Sequence, residues 1–134
     1  MPHLSPCLFC QIAESRSSQR IVFQNELAFT ILDGYPVSLG HTLVIPNRHI
    51  GSFFEATGEE RAALFYLLDQ AKQLIQSEYV PDGYNIGIND GAGAGQTVPH
   101  LHIHLIPRYQ GDVADPRGGV RWVIPERADY WSAQ

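Results

Sequence analysis

The segment Gly95-Gln96-Thr97-Val98-Pro99-His100-Leu101-His102-Ile103-His104-Leu105-Ile106-Pro107 constrains the fold of this chain more than any other stretch. Successive side chains of a strand point to opposite faces. Strict alternation of His100, His102 and His104 with Leu101, Ile103 and Leu105 therefore asks for one dry face and one face lined by imidazoles. The dry face must be covered by a second layer. The three histidines cannot all serve one metal without bending the strand, because at about 3.3 Å per residue the Cα atoms of His100 and His104 stand roughly 13 Å apart, while a tetrahedral zinc holds its ligands at about 2 Å. They must divide their work. A solitary histidine is more often a satisfied structural or surface residue, which is the reading for His3; three alternating histidines directly after a glycine-rich loop point to chemistry.

The rest of the chain sets the frame for that strand. Its 134 residues, 44% of them hydrophobic, suit one domain spanning 1–134 with a single core. A net charge of −5, from 9 Lys+Arg against 14 Asp+Glu, supplies no continuous basic surface, so neither nucleic acid nor an anionic membrane is an expected partner. No run approaches the roughly 18 apolar residues of a membrane span, and no basic-then-apolar leader opens the chain, so a cytoplasmic location is expected. In that compartment the close pair Cys7 and Cys10 reads as a metal clip or a redox pair, not a disulfide.

Periodicity and turn residues predict the elements. Residues from about Pro6 to Glu14 suit a short helix, and Ser15 to Ser18 a turn. Ile21–Gln24 and Leu27–Leu32 suit a hairpin across Asn25 and Glu26, and His41–Ile45 a third strand ending at Pro46. Thr57 followed by Glu60 is a capping box, opening a helix whose apolar stripe of Leu64, Leu67, Leu68, Ala71, Leu74 and Ile75 runs to about Tyr79. Tyr84–Asn89 and His100–Ile106 complete the strands, the last ending at Pro107, and the tail from Gly111 reads as irregular. Parallel βαβ alternation is not sustained. The expected class is α+β, with a mainly antiparallel sheet, one long helix and a short N-terminal helix.

Gly91-Ala92-Gly93-Ala94-Gly95 offers small residues whose backbone N–H groups can approach an anion. It lacks the Gly-Lys-Ser/Thr ending of an NTPase loop and leads into a strand instead of a helix, so neither the Walker nor the dinucleotide-fold interpretation applies. No clustered carboxylates are present to hold catalytic magnesium, which argues against a metal-dependent pyrophosphatase; no catalytic metal is expected.

Three histidines alternating with apolar residues after a Gly-Gln-Thr loop resemble the histidine triad (HIT) family of nucleotide hydrolases and transferases. The segments Cys7-Leu8-Phe9-Cys10-Gln11-Ile12, Leu32-Asp33, Gly40-His41-Thr42-Leu43-Val44-Ile45-Pro46, Arg48-His49 and Asn89-Asp90-Gly91 fall in the family's order. The tail departs from the family's short form. The resemblance implies a HIT-like fold and assigns roles. His102 would attack the α-phosphorus and become transiently nucleotidylated, a role suited to an imidazole that is neutral near pH 7. His104 would contact the phosphate and assist the leaving group, and His41 would orient His102. Gln96, Gly95, Thr97 and the Val98 backbone would bind the phosphate or the bridging oxygen. Asp33 would hold ribose hydroxyls, Asn89 would face the α-phosphate and ribose, and Ile31 with Leu32 and the strand Ile21 to Phe23 would wall the base pocket.

By the same resemblance Cys7, Cys10, His49 and His100 would form a closed structural zinc site, which would explain why His100 is not catalytic. A homodimer would form through the long helix, whose Phe65 and Tyr66 widen the apolar stripe, and the adjoining strand. In the tail, Arg117 and Arg121 are either surface-packing residues or contacts to distal phosphates. The expected ligand is a purine nucleotide or dinucleoside polyphosphate. Three functions compete: a hydrolase cleaving dinucleoside polyphosphates at the α-phosphate, favoured by Ala94–Val98 and Ile106-Pro107-Arg108; a Hint-like nucleoside phosphoramidase; and a non-catalytic nucleotide-binding dimer.

Overall fold

The computed structural model describes residues 6–132 of the chain, so His3 lies outside the described residues. Helix α1 (Leu8–Glu14) is followed by strands β1 (Ile21–Gln24), β2 (Ala28–Leu32) and β3 (Thr42–Pro46), the long helix α2 (Gly58–Tyr79), and strands β4 (Gly83–Gly87) and β5 (Ile103–Arg108). The five strands form one antiparallel sheet in the order β1-β2-β3-β5-β4, the α+β arrangement expected from the sequence. Asn25 makes the β1–β2 turn by accepting the N–H groups of Leu27 and Ala28 on its side-chain oxygen. Among the described residues no helix is long and apolar enough to cross a membrane.

Two helices cover opposite faces of the sheet. Alternation along β2 and β3 sends Ala28 and Val44 toward α2, where they pack with Leu64, Leu67, Leu101 and Ile103, and sends Phe29, Ile31, Leu43 and Ile45 toward Phe9 and Ile12 of α1. Each fully buried Leu or Ile contributes about 2 kcal/mol of transfer free energy, so both interfaces hold strongly. Because Leu43 pairs with His104 and Val44 with Ile103, β5 keeps the same facing: Ile103 and Leu105 turn toward α2, and His104, Ile106 and Arg108 toward the α1 side.

The structure corrects three expectations. Regular pairing of the histidine segment begins at Ile103, so His100 and His102 precede the strand. The reason is local: the N–H of Leu101 goes to the carbonyl of Ile50 and that of His100 to Val98, not to a strand neighbour. Pro46 closes β3 as expected, though still paired there, but Pro107 does not end its strand, which runs on to Arg108. Pro46 pairs with Ala28 and Pro107 with Tyr84, and their carbonyls still accept bonds from His100 and Ser38, since proline removes only a donor. The tail is not irregular. It carries a 3-10 turn over Gly119–Val123 and a short helix α3 (Pro125–Ala128), tied together by Trp122 Nε1 donating to the Arg117 carbonyl and by Arg121 donating to the Ala128 carbonyl.

Helix α2 starts where the capping box requires. Thr57 Oγ1 accepts the Glu60 N–H at 3.0 Å, and the Glu60 carboxylate accepts the Thr57 N–H at 2.9 Å. Glu60 is buried and is also gripped by the Arg48 guanidinium at 2.8 and 3.0 Å, which ties the start of α2 to the segment after β3. The Arg48 bond is the chief cause that holds the Glu60 carboxyl at about 2, against an ordinary 4.5. Thr57→Ala is expected to cost about 1 kcal/mol in urea unfolding. The folded value of Glu60 lies below the unfolded one, so its contribution is complete above pH 4.5 and disappears as pH falls through about 2. The stability gap between wild type and Glu60→Gln should therefore narrow on acidification across that window, and a gap independent of pH would sever this charge from the stability of the fold.

Candidate functional site

His100 is fully buried and bonded in three directions. Its Nε2–H donates to the Pro46 carbonyl at 2.8 Å, which leaves a lone pair on Nδ1. That Nδ1 lies 3.1 Å from His49 Nδ1, 3.4 Å from Cys7 Sγ and 3.5 Å from Cys10 Sγ, and Cys10 Sγ lies 3.1 Å from His49 Nδ1. All four donor atoms fall within 4.8 Å of one another. A tetrahedral zinc with bonds of about 2.0–2.3 Å separates its ligands by roughly 3.3–3.8 Å, so a slight expansion of this cluster fits the ion. Two soft thiols with two imidazoles are also the right donor set. Helix α1 places the cysteines, with Cys7 as its N-cap and Cys10 in its first turn.

The carbonyl of His100 accepts the third bond, from His102 Nδ1–H at 2.8 Å. In a neutral imidazole this fixes the lone pair of His102 on Nε2. Phe9 stands edge-on to both rings, at 5.7 Å from His100 and 5.3 Å from His102. From His102 the line continues to His104 at 5.1 Å between centroids, and on to His41 at 5.2 Å.

His41 and His104 form a directed pair. The Val37 N–H donates to His41 Nδ1 at 3.1 Å, so the proton of neutral His41 is on Nε2 and donates to His104 Nδ1 at 3.0 Å. His104 in turn carries its own proton on Nε2. Asp33, whose other oxygen accepts the Tyr35 N–H, sits 3.4 Å from His41 Nε2. Asp33, His41 and His104 also bring three potential ligand atoms within 4.8 Å. With its proton directed to Nε2, however, His41 has no lone pair there, and the arrangement is a directed hydrogen-bond chain from Val37 through His41 to His104. Burial lowers the pKa of His41, against the raising effect of Asp33; it also lowers that of His104, reinforced by His102 and His41. Burial likewise lowers His100, and the Pro46 carbonyl opposes it. Burial therefore disfavours the charged form of each of these rings.

The glycine-rich loop lies exposed beside this line. Gly91 and Gly95 both have φ of +93°, a conformation that side-chain-bearing residues rarely adopt, and a Cβ at either would meet nothing within 4 Å. The space before the loop is open. Thr97 and Asn89 are exposed, and Val98 packs against the α1 cluster. Gln96 does not extend into that space as expected. Its Oε1 accepts the Gly91 N–H at 2.8 Å, and its Nε2 donates to the Gly51 and Val98 carbonyls at 2.9 and 3.1 Å, so the amide closes the loop on itself. Ile31 does not wall a pocket either: it is fully buried under α1.

Sequence reading passed over the groups that set these protons. The Pro46, His100 and Gly51 carbonyls and the Val37 N–H are backbone atoms with no residue-type signature. Asp90 was legible only as part of a motif; its carboxylate accepts Ser52 Oγ and the Phe53 N–H, anchoring the glycine-rich loop to the 3-10 turn Phe53–Glu55.

Comparison with known proteins agrees with this layout. The HIT domain profile matches residues 14–111. Protein hit of Bacillus subtilis is 39% identical over 107 residues, covering 79% of this chain and 74% of its own length. The Bis(5'-nucleosyl)-tetraphosphatase [asymmetrical] of Schizosaccharomyces pombe is 35% identical over 96 residues, 72% of this chain and 53% of its own. Among solved structures, a Zn-bound histidine triad family protein from Mycobacterium smegmatis superposes with a TM-score of 0.72 at 34% identity, covering 82% of this chain and 80% of that one. Profile, relatives and fold coincide on the segment that carries the imidazole line: the chain belongs to the HIT domain family.

Proposed function

We propose that the protein is a nucleotide hydrolase that cleaves dinucleoside polyphosphates at the α-phosphate, with His102 as nucleophile. The observation that carries this reading is the pair of opposed tautomers on neighbouring imidazoles. His102 presents a lone pair at Nε2 because its Nδ1–H is held by the His100 carbonyl, and His104 presents an N–H at Nε2 because its Nδ1 accepts from His41. One ring is set to attack and the next to donate. His102 Nε2 forms a bond to the α-phosphorus as the bridging P–O bond breaks. The departing oxygen accepts a hydrogen bond from His104 Nε2–H, held in place by the 3.0 Å bond from His41, and leaves as a polyphosphate anion. Water then cleaves the N–P bond, releasing the mononucleotide and a proton to solvent. The backbone N–H groups of Thr97 and Val98 would stabilise the charge that develops on the phosphate, those of Gly95 and Gln96 being bonded within the loop to the Ala92 and Gly91 carbonyls, and Asp33 and Asn89 would hold the ribose of a purine nucleotide. The tetraphosphatase activity named for the yeast relative supports a second nucleotide as leaving group.

The same reading assigns Cys7, Cys10, His49 and His100 to a structural zinc, as the donor geometry and the Zn-bound neighbour support. The ion when bound would clamp α1 to the His100 backbone and so fix the carbonyl that orients His102. A homodimer through α2 and β4 is part of the proposal, since Phe65 and Tyr66 on α2 are 48% and 60% exposed.

His102→Ala should abolish turnover of a P1,P4-dinucleoside tetraphosphate while keeping nucleotide affinity within about an order of magnitude. Chromatography of a panel that includes a nucleoside phosphoramidate decides the substrate class: cleavage of the phosphoramidate only would replace the present reading by a phosphoramidase. Elemental analysis should find about one zinc per chain. Cys10→Ser should lose that zinc and lower Tm by about 5 °C or more, with a smaller loss of turnover per folded molecule; a metal-free wild type with the same Tm would remove the site. Sedimentation equilibrium should return twice the chain mass, and Tyr66→Glu should halve it.

A further inference from the structure

A groove of about 470 Å³ runs beside the imidazole line, between β4–β5 and the C-terminal tail, lined by Val37, Asn85, Ile106, Arg108, Pro116 and Trp122 among others. That volume is in the range of small-molecule sites, about 300–1,000 Å³. It is continuous with the catalytic line. Val37, which donates to His41, forms part of its wall, and Ile106 and Arg108 follow His104 on the same face of β5, roughly 7 and 13 Å along the strand.

Its charges are already matched. Arg108 donates from Nε and Nη2 to the two oxygens of Asp112 at 2.8 and 2.9 Å and from Nη1 to Asn85 Oδ1 at 2.6 Å, and Asp115 is paired with Arg117 at 2.9 Å. The tail cations that the sequence leaves as either surface-packing residues or phosphate contacts are engaged within the tail itself: Arg121 donates to the Ala128 and Arg127 carbonyls and lies over the Tyr130 ring at 4.7 Å, and Arg117 lies 5.0 Å over Trp131. A phosphate would find no unmatched cation there, whereas a neutral planar ring would meet Val37, Ile106, Pro116 and a half-exposed indole.

The tail is built to hold that indole in place. Gly118 and Gly119 have φ of +92° and +48°, and a Cβ would come within 2.9 Å of Trp131 at the first and 3.2 Å of Asn85 at the second. Only glycine lets the tail close this tightly on β4. Trp122 Nε1 then donates to the Arg117 carbonyl at 2.7 Å, which sets the indole before any ligand arrives.

We propose that this groove is the subsite for the leaving nucleoside, with its base against Trp122 and Ile106 while the phosphate bridge spans from His104. The inference rests on the dinucleoside-polyphosphate reading above. Such a subsite favours substrates with a nucleoside on the far side of the bridge over those with a small leaving group.

The test is a selectivity ratio: kcat/KM for a P1,P4-dinucleoside tetraphosphate divided by that for a nucleoside phosphoramidate, which has nothing to place in the groove. Loss of one base–aromatic stack is worth about tenfold, so Trp122→Ala should lower the ratio about tenfold and Trp122→Phe should restore most of it, while Trp122→Leu should not. An unchanged ratio, or Leu performing as well as Phe, overturns the subsite. Binding separates this failure from failure of the enzymatic reading. In a His102→Ala background the dinucleotide should bind more tightly than its mononucleotide, and Trp122→Ala should erase the difference. If wild type leaves the dinucleotide uncleaved but this difference is present, the subsite stands and the hydrolase reading falls; if the difference is absent, the subsite falls whatever the turnover.

Discussion

The arrangement hinges on the buried imidazole of His100. Its Nε2–H is held by Pro46 of β3, its Nδ1 faces the two cysteines of α1 and His49, and its carbonyl accepts the Nδ1–H of His102. One residue thus joins the sheet, the N-terminal helix and the His102 ring. A fully buried imidazole left without these partners would cost several kcal/mol in unmet polar groups, so the three contacts stand or fall together. The division of labour among the alternating histidines follows from this: His100 is committed to structure, and that commitment determines which nitrogen of His102 is available.

The second half of the site depends on a different scaffold. His41 and His104 meet because β3 and β5 pair antiparallel with Leu43 opposite His104, and the loop before β3 returns Val37 and Asp33 to the His41 ring. Burial lowers the pKa of both rings and so favours their neutral forms. In the proposed reaction, neutral His104 fixed in this tautomer offers its Nε2–H as a hydrogen bond to the leaving oxygen and keeps its proton. Gln96 braces the glycine-rich loop from within. The loop's shape is therefore set by the protein itself, as preorganised stabilisation in the proposed reaction requires.

Beyond the His41–His104 pair, the same face of β5 continues into the groove closed by the tail. There the half-buried alternate residues His104, Ile106 and Arg108 pass from an imidazole to an apolar wall and then to a matched ion pair. That change of character along one strand is what the proposed substrate, charged at its centre and ending in neutral rings, would require.

Much of this was legible from local rules. The capping box at Thr57 and Glu60, the helical stripe through Leu64, Leu67, Ala71 and Ile75, the alternation of Leu101, Ile103 and Leu105, and the inability of His100 and His104 to share a metal all depend on spacing, which a sequence states directly. The family resemblance rested on the same spacing. What only the tertiary structure decided are the proton positions, the inward turn of Gln96 and the ordered tail. Each is settled by backbone groups distant in sequence, such as Pro46 for His100, Val37 for His41 and Gly51 for Gln96. A carbonyl or an N–H is the same in every residue, so its place in space, not its identity in the chain, carries the information.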